Sequence, residues 1–197
     1  MYYALVTFFY LVSTAISNPT EKMAFDIVYR DKVIGEVMVK EINTSNGVIR
    51  KLESNSTIRI IISVHVKAEY QVVRNKNGLM TEGIGSREAN MGNHNVQSKT
   101  RCVAPNKYRV ERNGEVWTHN NFPIDFCVAD LFFSEPHGRT EIYSNMYGKN
   151  LSLIREKDRS YHLVTPDGKD SFYYYKNGQL LKVEFGTPIG KIITRRK

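Results

Sequence analysis

After residue 17, no stretch of this sequence approaches the roughly 20 apolar residues that a membrane-spanning helix needs. That excludes a helical membrane protein as the mature form. No internal repeat, low-complexity tract or linker divides the chain, which points to a single domain. Catalytic signatures are absent too. Gly83-Ile84-Gly85-Ser86 does not place glycines two residues to either side of its serine, as a nucleophile elbow does. No glycine-rich loop ends in the Lys-Ser or Lys-Thr that cradles phosphate. The five histidines, His65, His94, His119, His137 and His162, never come within three to five residues of one another, the spacing of a local metal site. The expectation is a protein that is not an enzyme and that carries neither metal nor cofactor.

Cysteine is scarce: Cys102 and Cys127 are the only two. Two is the smallest number that can pair. A Cys102–Cys127 bridge would close a loop of about 25 residues and add roughly 3 kcal/mol; two independent core thiols are the alternative. Cationic residues exceed acidic ones, 28 to 20, for a net charge of +8. Such a charge draws a protein toward anionic surfaces, such as lipid head groups of a cell envelope. The basic residues are dispersed, with one dense run at Arg195-Arg196-Lys197. A nucleic-acid binder concentrates its cations and interleaves stacking aromatics, so nucleic acid is not the expected partner.

What is present begins with Tyr2–Ile16, an apolar run of about 15 residues, too short to span a bilayer. Ala15 and Ser17 are small residues two apart, as signal peptidase requires. Residues 1–17 read as a signal peptide and residues 18–197 as one β-sheet domain; a buried first strand is the competing reading. The location expected is the periplasm or exterior of a bacterium.

Along the mature chain, Asn46-Gly47, Asn77-Gly78, Asn113-Gly114, Asp167-Gly168 and Asn177-Gly178 read as tight hairpin turns, with Asp31-Lys32 another. Tight hairpins join antiparallel neighbours, so the sheet is mostly a meander. The segments between turns alternate with period two. From Thr57 to Val72 the even-numbered Ile58, Ile60, Ile62, Val64, Val66, Ala68, Tyr70 and Val72 share one face. As one strand this is too long to stay straight, and a bent or bulged strand in a curled sheet is expected. The fold class is all-β: one strongly curved antiparallel meander, half-barrel-like, with one short helix.

That helix is expected at Asp125–Phe133, where Phe126, Ala129, Asp130 and Phe133 fall at the spacing of one helical face. Asp125 would cap it and Pro136 stop it. Asp130 either faces solvent from an otherwise apolar helix or projects into a cavity. Phe172-Tyr173-Tyr174-Tyr175 sets aromatics on both faces of one strand. They serve ordinary sheet packing or line a hydrophobic cleft.

Phe25-Asp-Ile-Val-Tyr-Arg-Asp-Lys-Val-Ile-Gly35, the Pro123–Pro136 segment, Val164-Thr-Pro-Asp-Gly168 and Tyr175-Lys-Asn-Gly178 together resemble an uncharacterised exported bacterial β-sheet family. More loosely, the curled sheet is similar to that of periplasmic lipoprotein carriers, whose open half-barrel covers an apolar cavity. The resemblance transfers no site residues. The function it fits is binding of a lipid or other apolar ligand between the concave face and the helix, with basic residues at the rim attracting anionic head groups. Phe126, Asp130, Phe133, Tyr173 and Tyr175 are the candidate contacts. The alternative is a cell-envelope structural or protein-interaction module whose sheet is filled by its own side chains.

Overall fold

A computed structural model describes residues 19–59, 62–91, 95–120, 122–187 and 190–197. The leader assigned to residues 1–17 lies outside them. The strands are β1 (Pro19–Tyr29), β2 (Lys32–Thr44), β3 (Gly47–Arg59), β4 (Ser63–Asn75), β5 (Met80–Ala89), β6 (Val96–Ala104), β7 (Lys107–Arg112) and β8 (Glu115–Asn120), then β9 (Glu141–Ser144), β10 (Lys149–Arg155), β11 (Tyr161–Leu163), β12 (Ser171–Lys176), β13 (Gln179–Thr187) and β14 (Gly190–Arg196). These fourteen form one sheet, ordered β8-β7-β6-β5-β4-β3-β2-β1-β14-β13-β12-β11-β10-β9. Every neighbouring pair is antiparallel. The first and last strands meet in the middle of the sheet, and its two edges, β8 and β9, are consecutive in the chain. Among the described residues no ladder joins those edges, so the sheet is curled but not closed.

Turn chemistry sets the meander. Asn113-Gly114 and Asn177-Gly178 have positive φ at both residues (49° and 87°, 53° and 74°), the geometry that matches strand twist in a two-residue hairpin. The first hairpin turns one residue earlier than Asp31-Lys32: Arg30 and Asp31 carry the positive φ, at 46° and 61°, and Lys32 already opens β2. The long alternating segment is not one bent strand but two. β3 ends at Arg59 and β4 begins at Ser63, with Arg59 opposite Ser63 and Ile58 opposite Val64. A connection of three residues leaves even-numbered side chains facing even-numbered ones, so the period-two pattern runs through the reversal without a break.

Alternation then decides the interior. Phe25 and Ile27 of β1, Val37 and Val39 of β2, Leu52 and Ile58 of β3 and Val72 of β4 are buried on the concave side. A register shift between Val73 and Arg74 lets Met80 face inward opposite Arg74, while Gly83 opposes Val72 and Gly85 opposes Tyr70. The segment linking β8 to β9 crosses this interior. Its Val128–Phe132 stretch is a five-residue 3-10 helix, in place of the longer helix expected over Asp125–Phe133. Val128 and Leu131 pack with β1, β2 and β10–β14, whereas Ile124, Cys127 and Ala129 pack with Val72, Met80, Tyr108 and Tyr143. The crossing segment is thus the shared filling between two walls, and each fully buried side chain of Leu131's size stabilises by about 1.5–3 kcal/mol.

Asp125 does not cap this helix. It lies outside, paired with Arg139 through two bonds of 2.9 and 3.1 Å. Cys127 is the cap residue, and the Asp130 carboxylate accepts its N–H at 2.6 Å. β1, β3, β5, β7, β9, β11 and β13 run toward one end and their antiparallel partners away from it. At that end lie the β1–β2, β3–β4, β5–β6, β7–β8, β9–β10, β11–β12 and β13–β14 connections.

Candidate functional site

At this end the curl is hollow. A cavity of about 370 Å³ lies between the concave sheet and the 3-10 helix. Leu52, Ile58, Val66, Ala68 and Tyr70 of β3 and β4 form one wall, and Leu163, Tyr173, Phe185 and Ile192 the other. Val128, Ala129 and Phe132 of the helix make its floor. Phe132 is held there by an edge-on contact with Phe25, ring centroids 5.4 Å apart. The Ser144–Gly148 turn leans in over β5, bringing Met146 and Tyr147 into the lining. Gly83 and Gly85 make room for that turn. A Cβ on Gly85 would stand 2.8 Å from the Met146 nitrogen, and one on Gly83 1.8 Å from Asn145 Nδ2. The Gly83-Ile84-Gly85 pattern therefore has a packing role.

Charge in the lining has one sign. Among the described residues, Arg87 of β5 and Lys169 of the β11–β12 loop line the cavity, and no carboxylate does. Lys169 also holds Asp167 at 2.9 Å, just beyond the wall. Asp167 accepts the Tyr147 hydroxyl at 2.6 Å, tying the loop to the turn across the mouth. Burial works to raise the Asp167 pKa, but hydrogen bonds from Tyr147, Lys169 and Thr165 outweigh it and hold the carboxyl below its usual range. Burial and the Asp167 carboxylate push Tyr147 up to about 12. Burial raises Tyr70 too, against the pull of the nearby Arg87 charge. Both phenols therefore stay neutral near pH 7, with the Tyr147 proton committed to Asp167.

On the far side of the helix sits a buried ionic cluster. Asp130 is 0% exposed, so it does not face solvent. It projects inward, yet away from the cavity lining, and bonds Arg50 Nη1 at 2.8 Å and Arg74 Nη2 more closely still. Arg50 also reaches Glu41 at 2.7 Å, and Arg74 donates to the Gly78 carbonyl at 2.7 Å. Burial disfavours the Arg50 charge, but the carboxylates of Asp130 and Glu41 more than offset it, so its pKa is raised. Two arginines and two carboxylates balance, and the cluster pins the helix to β3 and β4.

Of the residues expected at a ligand site, Tyr173 lines the cavity. Tyr175, two residues along, is spent on structure: its hydroxyl donates to the Leu131 carbonyl at 2.6 Å and its ring meets Tyr161 edge-on at 5.7 Å. Phe126 and Phe133 lie beneath the Arg139 and Arg50 guanidinium groups, at 4.5 and 4.6 Å, outside the lining. A helix of three residues per turn puts Ala129 and Phe132 on one face, where a 3.6-residue period favours Phe126 and Phe133. The two cysteines are separate free thiols, with no bridge between them. Cys102 is exposed and donates to the Ala104 carbonyl at 3.2 Å. Cys127 is buried, 3.7 Å from Met80 Sδ, and burial together with the Asp130 charge pushes its thiol pKa well up. Arg50, Arg74, Arg87 and Lys169 were not singled out by the sequence, although Arg50 and Arg74 share the inward parity of Leu52 and Val72.

Residues 25–197 match the model of a family described as Domain of unknown function (DUF6134), and the chain belongs to that family. No curated protein matches it. Among solved structures it is similar to a β-barrel-like protein of domain of unknown function DUF1849 from Brucella abortus. That likeness has a TM-score of 0.54 at 7% identity, over 89% of this chain and 95% of the other, and it bears on the fold alone. Among the described residues, no helix is long and apolar enough to cross a membrane.

Proposed function

We propose that this member of the DUF6134 family is an exported, non-enzymatic binding protein for a lipid or other apolar ligand, acting in the periplasm or outside a bacterial cell. The observation that carries the reading is the cavity. Its walls and floor are largely aliphatic and aromatic, and its volume of about 370 Å³ falls in the range typical of single-ligand pockets. Apolar ligand surface removed from water there contributes about 25 cal/mol per Å², less the cost of association. The exported location rests on the apolar leader ending at Ala15-Ile16-Ser17.

A module that binds through its sheet would need no such space. The cavity therefore favours ligand binding over a cell-envelope scaffold whose interior is filled by its own side chains. Native mass spectrometry of the protein purified from an exporting bacterial host tests this. A co-purifying apolar molecule, removed by organic extraction, is the expected result. Clean apo protein with no affinity for a fluorescent fatty acid contradicts it.

A further inference from the structure

We infer that the open end of the curl docks on an anionic lipid bilayer, with Val33, Ile62 and Met91 entering the head-group boundary and Arg30, Lys32 and Arg59 meeting the lipid phosphates. None of these six lines the cavity, so the docking face adds a surface to the ligand site and is tested apart from it.

Single exposed apolar side chains are ordinary on a protein surface; here they gather on neighbouring turns. Val33 is 56% exposed, Ile62 53% and Met91 44%. Ile62 and Met91 stand in the β3–β4 and β5–β6 connections, and Val33 is the second residue of β2. Asn90 joins two of these tips. Its N–H donates to the His65 carbonyl at 3.2 Å, its Oδ1 accepts the His65 N–H at 2.8 Å, and its Nδ2 donates to the Ser63 carbonyl at 3.1 Å. Met91 follows Asn90 and Ile62 precedes Ser63, so this clamp sets them on one rim. β2 pairs with β3 as far as Gly35 opposite Ser56, which brings the Arg30-Asp31 turn alongside the β3–β4 connection. Val116, second in β8, shares the same end. The tips at the opposite end include Ser45-Asn46, Asn77-Gly78 and Asn177-Gly178, which are polar. Of the other exposed apolar residues, Val103, Ile154 and Leu181 lie in strands toward that opposite end, and Phe122 meets His119 edge-on at 5.7 Å.

The same turns supply the charge. Arg30, Lys32 and Arg59 are exposed, with Asp31 the carboxylate between the first two. Among the described residues none of the three cations forms an ion pair, although Arg30 also lies over the Tyr29 ring at 5.2 Å. Aliphatic tips beside unpaired cations match a bilayer with acidic head groups. Each cation gains from the negative surface potential, and each apolar side chain gains by leaving water at the acyl boundary. Orientation adds to the match. Val64, Val66 and Ala68 lead inward from Ile62, and the last two line the cavity. A bilayer held at this end faces the mouth, so an apolar molecule passes between the two without crossing open water.

The test is co-sedimentation of the mature protein with vesicles of phosphatidylcholine alone and with vesicles of phosphatidylcholine and phosphatidylglycerol in equal parts. Binding to the mixed vesicles is expected to be about tenfold tighter or more, the combined effect of three surface cations. Arg30→Gln, Lys32→Gln and Arg59→Gln together should remove that preference. Val33→Ser, Ile62→Ser and Met91→Ser together should weaken binding to both kinds of vesicle at least about tenfold. Ile154→Ser with Leu181→Ser, at the opposite end, should leave binding unchanged. All these side chains are exposed, so the circular dichroism spectrum and fatty-acid affinity of each variant should match the unmodified protein. Raising salt on the unmodified protein should narrow the gap between the two vesicles, a readout that needs no variant. Equal affinity for both vesicles, or a tip variant that binds as tightly as the unmodified protein, overturns the docking face while the ligand site stands. A dimer that the tip variant dissolves, with no vesicle binding, assigns the face to a second copy and overturns it too. Vesicle binding as expected without any fatty-acid affinity supports the docking face and overturns the ligand site alone.

Discussion

Replacing Asp130 by alanine strips the buried cluster of the one carboxylate that both arginines share. Arg50 keeps Glu41 at 2.7 Å and is half-buried, so its loss is modest. Arg74 is 7% exposed and, among the described residues, keeps the Gly78 carbonyl, at 2.7 Å, as its oxygen partner. Breaking a buried pair from one side costs about 3–5 kcal/mol, because a charge is left without compensation. Losing the bond to the Cys127 N–H adds about 1 kcal/mol at the helix cap. We expect a loss of about 4 kcal/mol, a large share of the roughly 5–15 kcal/mol that holds a domain folded. In a chain of this size that is a fall in Tm of about 8–16 °C. Urea unfolding, followed by the fluorescence of Trp117, should show a lower midpoint with little change in slope. Asp130→Met together with Arg74→Met should recover much of the loss, since apolar replacement of a buried pair is often neutral. A cost below about 1 kcal/mol for Asp130→Ala, or no recovery in the double variant, would refute the reasoning.

Three further outcomes follow from the same structure. Gly85→Ala sets a Cβ 2.8 Å from the Met146 backbone nitrogen and should cost about 1–3 kcal/mol as the turn is forced off β5; an unchanged Tm contradicts this. A thiol reagent should titrate one cysteine, Cys102, in the native protein and both in denaturant, because Cys127 is buried with a raised thiol pKa; a count of zero would show a bridge instead. The Tyr147 pKa is raised on folding from 10.0 to about 12, so its contribution is complete below pH 10 and lost as pH rises through about 12. Across that interval the unmodified protein should lose stability relative to Tyr147→Phe, and parallel curves would refute the assignment.

The sheet was legible because its rules are local. Asn-Gly pairs and period-two alternation mark antiparallel hairpins whatever the rest of the chain does, and each Asn-Gly pair stands at or beside a strand reversal. The β3–β4 reversal was hidden because a three-residue connection in an apolar stretch keeps the alternation in phase, as Ile58 opposite Val64 shows. Arg30-Asp31 turns without glycine, so only its approximate place could be read. The presence of a short helix near Asp125–Phe133 was legible, but its pitch was not, and pitch decides whether Phe132 or Phe133 faces the cavity. Asp130 illustrates the same limit. Its partners Arg50 and Arg74 stand 80 and 56 residues away, and no local pattern reveals a pairing set by the curl of the whole sheet. Arg87 and Lys169 likewise meet a common space only once β5 and the β11–β12 loop come to the same end.

The account stands most directly on the cavity being the place where ligand sits. Ala68 lines its wall, opposite Arg87 in the β4–β5 ladder, so Ala68→Trp fills that space from a sheet position. Fluorescent fatty-acid titration of this variant beside the unmodified protein is the measurement, with circular dichroism confirming a retained β spectrum. Affinity should fall at least about tenfold, a loss of roughly 1.4 kcal/mol or more. Full affinity in a folded variant would contradict the account.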